Sequence, residues 1–414
     1  MISENVYILY RKTKGWLGSI LFILFRIFSI NNKRICITTF EGKGGFNCNP
    51  KYIVKELHRR SDRYEFIWLI DDITKVFPRY IKKKKNTLWN RAFYLSTSKI
   101  WIDNYRKPLE VRKRKGQCYI NTWHGNVGFK AIGLWRGAAF SKIAYLVSKH
   151  DSDMIDCMIS SSDWTTEAFV KGMVYDGVFL KYGQAREDVL VNDRCAMKTY
   201  IKDLFNIPHG TNIVLYAPTY REKNHKTKRK VLVEDVSLDK TGLLKQLQTK
   251  FGGEWVMFQR LHPQLAAKQQ NMEGADNKLI IDVSQYDDMY ELLAASDAVV
   301  TDFSSIAFEA GAVKIPVFLY MDDLDEYVCS RGGMNFIISQ DKKITTNQDI
   351  APNINAYPPF PIATNNEELG NIINNFDEQD YCKAIDKMCS ELGMVNDGKA
   401  SIRIADLIEN KIMN

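Results

Sequence analysis

At 414 residues, with 45% hydrophobic and 26% charged side chains, the chain has a globular composition and room for two domains of ordinary size. Its formal net charge of +8 gathers in the runs 79–85, 106–115 and 223–230, but no zinc finger, ribonucleoprotein motif or recognition-helix pattern accompanies them, so nucleic acid is not an expected partner. Eight cysteines without a CxxC pair read as small buried hydrophobes of a reduced protein, which excludes a disulfide scaffold and a zinc module.

In chain order, the first element is the apolar stretch 16–30, WLGSILFILFRIFSI, preceded by Arg11, Lys12 and Lys14. Arg26 interrupts it, and it falls short of the roughly 20 residues a spanning helix needs. It reads as an amphipathic helix lying on the inner leaflet, with a helix packed on the first domain as the alternative. The basic runs also carry two readings: solvated faces, or attraction to an anionic surface, where each Lys or Arg contributes about 1 kcal/mol. Strands are expected at 34–40, 66–70, 100–103, 118–122, 157–161 and 178–182, with helices at 50–60, 88–96 and 164–171. Pro208-His209-Gly210 punctuates the chain. A second array follows, with strands at 213–216, 255–260, 278–282, 298–302 and 316–320. Residues 347–365 read as an irregular crossover, and the end from about 367 as helices. Two tandem βα arrays imply an α/β fold of two Rossmann-like domains with parallel sheets, facing each other across a cleft. The expected segments are 1–31, 32–207, 208–364 and 365–414.

Open parallel sheets bind ligands at the carboxyl ends of their strands. Four of the expected strands end in suggestive polar residues: Trp123-His124-Gly125, 217–222 with Arg221, Leu261-His262-Pro263 after Arg260, and Asp302-Phe303-Ser304-Ser305. A histidine accepts a proton near neutral pH, and Gly125 lets a substrate approach the backbone. Arg221, Arg260 and Arg331 suit phosphate oxygens. Ser304 and Ser305 open a helix, where unpaired amides favour an anion, and Glu309 one turn later is placed for a ribose hydroxyl. The bland alternatives are strand-end histidines bonded to carbonyls, surface arginine pairs and a serine N-cap. No acidic doublet has a third ligand at metal spacing, and there is no Walker A, complete GxGxxG or GxSxG sequence, so neither a metal nor a cofactor is called for.

Taken together these motifs resemble the CDP-glycerol glycerophosphotransferases that build and prime teichoic-acid-like polymers. Gly42-Lys43 with 49–53, Asn121-Thr122-Trp123-His124-Gly125 with Lys130 and Gly133, 183–188, 217–221, 260–263, 302–305 and Ser330-Arg331-Gly332 resemble the family's motifs in order, over roughly residues 40–336. The resemblance implies a GT-B-type fold. It implies that His124 and His262 are catalytic, that Ser304, Ser305 and Arg331, with Arg221, Arg260 and Glu309, bind the donor, and that Gly125, Lys130 and Arg186 lie on the acceptor side. Gly125-Asn126-Val127-Gly128 departs from the family's glycine-threonine-proline run, and Ala185 stands where proline is expected. The expected activity is transfer of glycerol phosphate from CDP-glycerol to a hydroxyl of a lipid-linked glycan or polyol-phosphate acceptor, releasing CMP. The expected setting is the cytoplasmic face of the cell membrane, in teichoic-acid or capsular polymer synthesis. The alternatives are a CDP-ribitol or other CDP-alditol donor, a GT-B glycosyltransferase using a nucleotide sugar, and a non-catalytic membrane-bound scaffold.

Overall fold

The computed structural model describes residues 4–219, 222–225, 228–231, 237–261, 279–331 and 333–413. Two compact units divide the chain. The first comprises Met1–Asn126, Ile132–Asp188 and Met394–Asn414, and the second Val127–Ala131 and Val189–Gly393.

In the first unit, β1 (Asn31–Thr38), β2 (Glu65–Ile70), β3 (Ile81–Lys85), β4 (Ser98–Asp103), β5 (Cys118–Asn121), β6 (Cys157–Ser160) and β7 (Val178–Lys181) form one sheet in the order β3-β2-β1-β4-β5-β6-β7. Every pairing is parallel. The central strands are apolar on both faces, as a sheet covered by helices requires: Ile35, Cys36, Ile37, Ile100, Trp101 and Ile102 are fully buried. The order reverses at β1 and β4, so the ligand crevice of such a sheet is expected outside their carboxyl ends.

The second unit has β8 (Asn212–Tyr216), a hairpin of β9 (Glu222–His225) and β10 (Lys228–Val231), then β11 (Trp255–Gln259), β12 (Ile280–Asp282), β13 (Ala298–Thr301), β14 (Val317–Tyr320), a second hairpin of β15 (Phe336–Ile338) and β16 (Ile344–Thr346), and β17 (Ile362–Ala363). Its main sheet runs β12-β11-β8-β13-β14-β17, again all parallel. The switch of order lies at β8 and β13.

The units divide the chain near residue 188 and not at 207, because the helix Arg194–Leu204 packs on the helix Met289–Ala295 and its Arg194 donates to the Ser296 carbonyl at 3.0 Å. The C-terminal helices are split as well. Asn366–Asn374 and Glu378–Glu391 complete the second unit, whereas Ala400–Met413 returns to the first. There Arg60 bridges Asp406 at 2.6 Å and Glu409 at 2.9 Å, and Asp188 accepts from the Ala400 and Ser401 amides.

Two basic runs differ from their expected state. Residues 81–85, IKKKK, form the edge strand β3. Lysines suit an edge because they discourage pairing with another chain while their stems pack. Lys82 pairs Glu65 at 2.9 Å, and Lys83 donates to the Ile73 and Lys75 carbonyls. In the run 106–115, Lys107 is buried, its Nζ 2.5 Å from Asp103 and 3.2 Å from the Thr38 hydroxyl.

The N-terminal helix spans Glu4–Leu24, beginning twelve residues before the apolar stretch that predicted it and ending short of it. One face packs on the first unit through Gly15, Gly18, Ser19 and Phe22. A Cβ on Gly15 or Gly18 would fall 2.7 Å from Leu109 Cβ or 2.8 Å from Glu110 Cβ, so the small residues set this close approach. The other face exposes Leu9, Trp16, Leu17, Ile20, Ile23 and Leu24, and Ile27 continues it beyond the helix. Among the described residues, no helix is long and apolar enough to cross a membrane.

Candidate active site

In the first unit, β5 delivers Thr122-Trp123-His124 at its carboxyl end. Trp123 has φ 51°, a left-handed backbone that a bulky residue adopts only when its neighbours enforce it. They do so here: the Trp123 amide donates to Asn121 Oδ1 at 2.8 Å, and its carbonyl accepts from Asn49 Nδ2 at 3.2 Å. Phe40, Glu41 and Cys48, in and after the loop that leaves β1, also have positive φ. Four of the eight non-glycine residues with positive φ among the described residues thus lie in or just after the loops that leave β1 and β5.

The His124 ring is caged by Phe40 at 5.4 Å, Tyr105 at 5.2 Å and Trp123 at 4.5 Å between centroids. Its Nδ1 lies 2.7 Å from the Asn104 carbonyl oxygen. A carbonyl only accepts, so the hydrogen-bond network assigns the proton to Nδ1 and leaves Nε2 with its lone pair. Burial among the rings pushes the imidazole pKa down to about 4, the Arg186 and Arg106 guanidiniums push the same way, and the Asn104 carbonyl opposes them. His124 is thus neutral near pH 7.

Arg186 is buried, and it donates from Nη1 to the His124 carbonyl at 2.7 Å while its amide donates to Asn49 Oδ1 at 3.1 Å. It positions the His124 backbone. Gly125 has no internal steric need to be glycine, since an added Cβ would meet only the Trp123 indole at 3.4–3.5 Å. Asn49, Asn104 and Tyr105 were not singled out as site residues from the sequence. Asn49 lay within a quoted motif, and the other two carry no local signal because their contacts with His124 or Trp123 span 18 residues or more.

In the second unit, Asp302 follows β13 and accepts from the Thr219 amide and hydroxyl at 3.0 Å, while Thr301 donates to the Ala217 carbonyl at 2.7 Å. These bonds tie the loop after β8 to the serine turn. Ser304 and Ser305 are partly exposed just before the helix Ile306–Ala312. Ser305 occupies the cap position with helical backbone angles and makes no side-chain cap bond, and Ser304 Oγ reaches the Ile306 amide only at 3.5 Å. A serine N-cap therefore does not account for this turn.

Glu309 is buried with Tyr290 donating to its carboxylate. Arg260 is held against the chain, donating from Nη1 to the Tyr286 carbonyl at 2.6 Å and to Val283 at 3.3 Å, so it fixes the turn 283–286. Lys130 falls in the second unit and not with Gly125 and Arg186. Residues 127–131 pack there, with Lys130 bridged to Met334, Asn335 Nδ2 donating to the Lys130 carbonyl at 2.7 Å, and Phe129 against Phe308 and Phe336. Its Nζ lies 6.0 Å from the Tyr327 ring, which stacks on Phe303 at 3.7 Å. Arg331 ends the helix Leu324–Arg331. His262, Arg221 and the Arg331 side chain lie outside the described residues.

Residues 20–410 match a family model described as CDP-glycerol:poly(glycerophosphate) glycerophosphotransferase. The chain is 30% identical over 397 residues to the teichoic acid poly(glycerol phosphate) polymerase of Staphylococcus epidermidis, which covers 93% of this chain and 51% of that one. It therefore spans about half the length of that relative. It is 27% identical over 398 residues to the teichoic acid glycerol-phosphate transferase of Staphylococcus aureus, covering 91% and 93% of the two chains. A solved structure of the wall teichoic acid polymerase TagF matches with a TM-score of 0.77 at 27% identity, over 100% of this chain and 99% of that one. The α/β class expected from the tandem arrays, and the GT-B type implied by the resemblance, are what is observed.

Proposed function

The chain belongs to the CDP-glycerol:poly(glycerophosphate) glycerophosphotransferase family, and from that premise we propose that it transfers glycerol phosphate from CDP-glycerol to a hydroxyl of a lipid-linked polyol-phosphate or glycan acceptor in teichoic-acid-like polymer synthesis. The observation that carries the reading is His124, neutral and with Nε2 presented at a strained strand end. In this mechanism Nε2 takes the proton of the acceptor hydroxyl. The oxygen attacks the β-phosphorus, the bond from that phosphorus to the bridging oxygen breaks, and CMP leaves with the electron pair. Such transfer depends mostly on positioning and on stabilising charge on the phosphoryl oxygens. The serine turn is assigned to the pyrophosphate, supported by the uncommitted Ser305 hydroxyl. The roles of His262, Arg221 and Arg331 rest on the ordered motifs alone.

The test is a donor panel of CDP-glycerol, CDP-ribitol and UDP-sugars with a lipid-linked acceptor, reading the nucleotide released. CMP from CDP-glycerol is the expected result. CMP from CDP-ribitol alone would change the donor, and a nucleoside diphosphate would replace the reaction by sugar transfer.

The exposed apolar face of the N-terminal helix is assigned to the cytoplasmic surface of the membrane. Apolar residues recur at helical spacing along it, and exposed Lys12, Lys14 and Arg26 supply charge complementary to anionic lipid. Replacing Trp16, Ile20, Ile23 and Ile27 together by Ser is expected to weaken flotation with anionic vesicles by at least about tenfold, since each buried large apolar side chain contributes roughly 1.5–3 kcal/mol. Turnover of a soluble acceptor should persist. Unchanged flotation would remove this surface from membrane binding.

A further inference from the structure

A cavity of about 220 Å³ in the first unit opens at the carboxyl ends of β1 and β4, lined by four cations, Lys43, Arg91, Arg106 and Lys107, and two carboxylates, Glu41 and Asp103. Three of these cations are matched within the unit. Lys107 pairs buried Asp103, Arg91 bonds Glu110 at 2.8 Å, and exposed Lys43 lies 3.7 Å from Glu41. Arg106 is not matched. Its guanidinium lies over the Trp123 ring at 5.3 Å and the Phe140 ring at 5.9 Å, and among the described residues it has neither a hydrogen-bond acceptor nor an ion-pair partner. Next in the chain but one, fully buried Asn104 has an Nδ2 donor that also lacks a partner among the described residues. Arg106 is partly exposed, and with only ring faces against it the fork of donors stays open to an anion.

The position of Arg106 is informative. It shares the Trp123 indole with His124, whose ring lies 4.5 Å from that indole, and its charge is one of those depressing the His124 pKa. A second cavity, of about 1070 Å³, runs along the N-terminal helix between Tyr7, Tyr10 and Leu17 on one side and Leu88 on the other. It shares Arg91 and Pro108 with the first. The two cavities therefore share part of their lining near the helix proposed to face lipid.

We propose that the Arg106 cavity seats the phosphate group of the acceptor that neighbours its attacking hydroxyl, so that the enzyme reads a polyol phosphate and not an unphosphorylated glycan. This rests on the transferase reading above and narrows its acceptor. In a glycerol phosphate terminus, three carbons separate the free hydroxyl from its own phosphate, so gripping that phosphate sets how far the hydroxyl reaches. A cavity of this size suits one phosphate and a few carbons, since sites for drug-sized ligands are on the order of 300–1,000 Å³.

The experiment compares the full chain with Arg106→Gln, using sn-glycerol 3-phosphate as the probe in calorimetry and as an inhibitor of CMP release from CDP-glycerol. Wild type should bind the probe, and inhibition should compete with the acceptor. In Arg106→Gln, probe affinity should fall and acceptor KM rise by about tenfold or more, as for loss of a charge-assisted bidentate contact. The KM for CDP-glycerol should stay within about twofold in the same variant. Lys43→Gln, at an exposed position that leaves packing intact, should shift both in the same direction by less. Unchanged probe affinity and acceptor KM in Arg106→Gln, or inhibition competing with CDP-glycerol, would overturn the seat. Probe binding that depends on Arg106 without any CMP release from CDP-glycerol would leave the seat standing and overturn the transferase reading.

Discussion

His124→Ala should lower kcat by about 10²-fold to 10⁴-fold while CDP-glycerol still binds, because a positioned general base contributes on that scale. The fold should survive. The ring fills a cage of Phe40, Tyr105 and Trp123, but the residue remains partly exposed and its one strong hydrogen bond goes to a backbone carbonyl. The pH profile gives an independent reading. The base must be unprotonated, so activity is held above its pKa and lost as pH falls through it. With the imidazole pushed down to about 4, the acid limb of kcat/KM for the free enzyme should lie well below the usual imidazole range, provided no other group intervenes. A bound anionic donor favours the imidazolium, so the limb in kcat should sit higher than that in kcat/KM. Arg186→Gln removes one of the charges that depress the pKa and should move the limb upward. Turnover of His124→Ala within a few-fold of wild type would take the residue out of the mechanism.

The outline of this site was legible in the sequence because strand ends are local features. The runs 118–122, 213–216, 255–260 and 298–302 each became a strand within a residue or so of its expected bounds, with the expected polar residues just beyond. What sets the tautomer and backbone of His124 was not legible. The carbonyl that fixes its tautomer is 20 residues away and the arginine that holds its backbone 62, and no local periodicity marks either. Lysine-rich runs misled for a related reason. IKKKK has no apolar alternation, yet it pairs as an edge strand because edges tolerate charge and β2 supplies the ladder. Lys107 looked like part of a solvated run, and only the fold brings buried Asp103 beneath it. Lys130 sits six residues past His124, so sequence reasoning kept the two together. The chain instead gives residues 127–131 to the second unit and returns at Ile132.

That return point carries the second large effect. Gly133 has φ 47°, and a Cβ built on it would lie 1.8 Å from the carbonyl oxygen of Gly172, at the end of the helix Asp163–Gly172. Neither group can yield cheaply, because the obstruction is backbone. The segment Gly133–Ala139 is also pinned to that helix by Trp135, whose Nε1 donates to the Ala168 carbonyl at 2.8 Å. Gly133→Ala combines a left-handed backbone, costing about 1–2 kcal/mol for a residue with a Cβ, with a displacement of packed main chain. The expected loss is at least about 3 kcal/mol, within the range reserved for named structural defects. Scanning calorimetry should show an early transition of the first unit, or the protein should fail to accumulate in soluble form. Gly210→Ala is the control, since Gly210 has no positive φ and nothing within 4 Å of an added Cβ. It should change stability by no more than about 0.5 kcal/mol in either direction. If Gly133→Ala melted like Gly210→Ala, the close docking of Gly133–Ala139 on the helix would be wrong. The re-entry of the chain after Lys130 would then be free to adopt other paths.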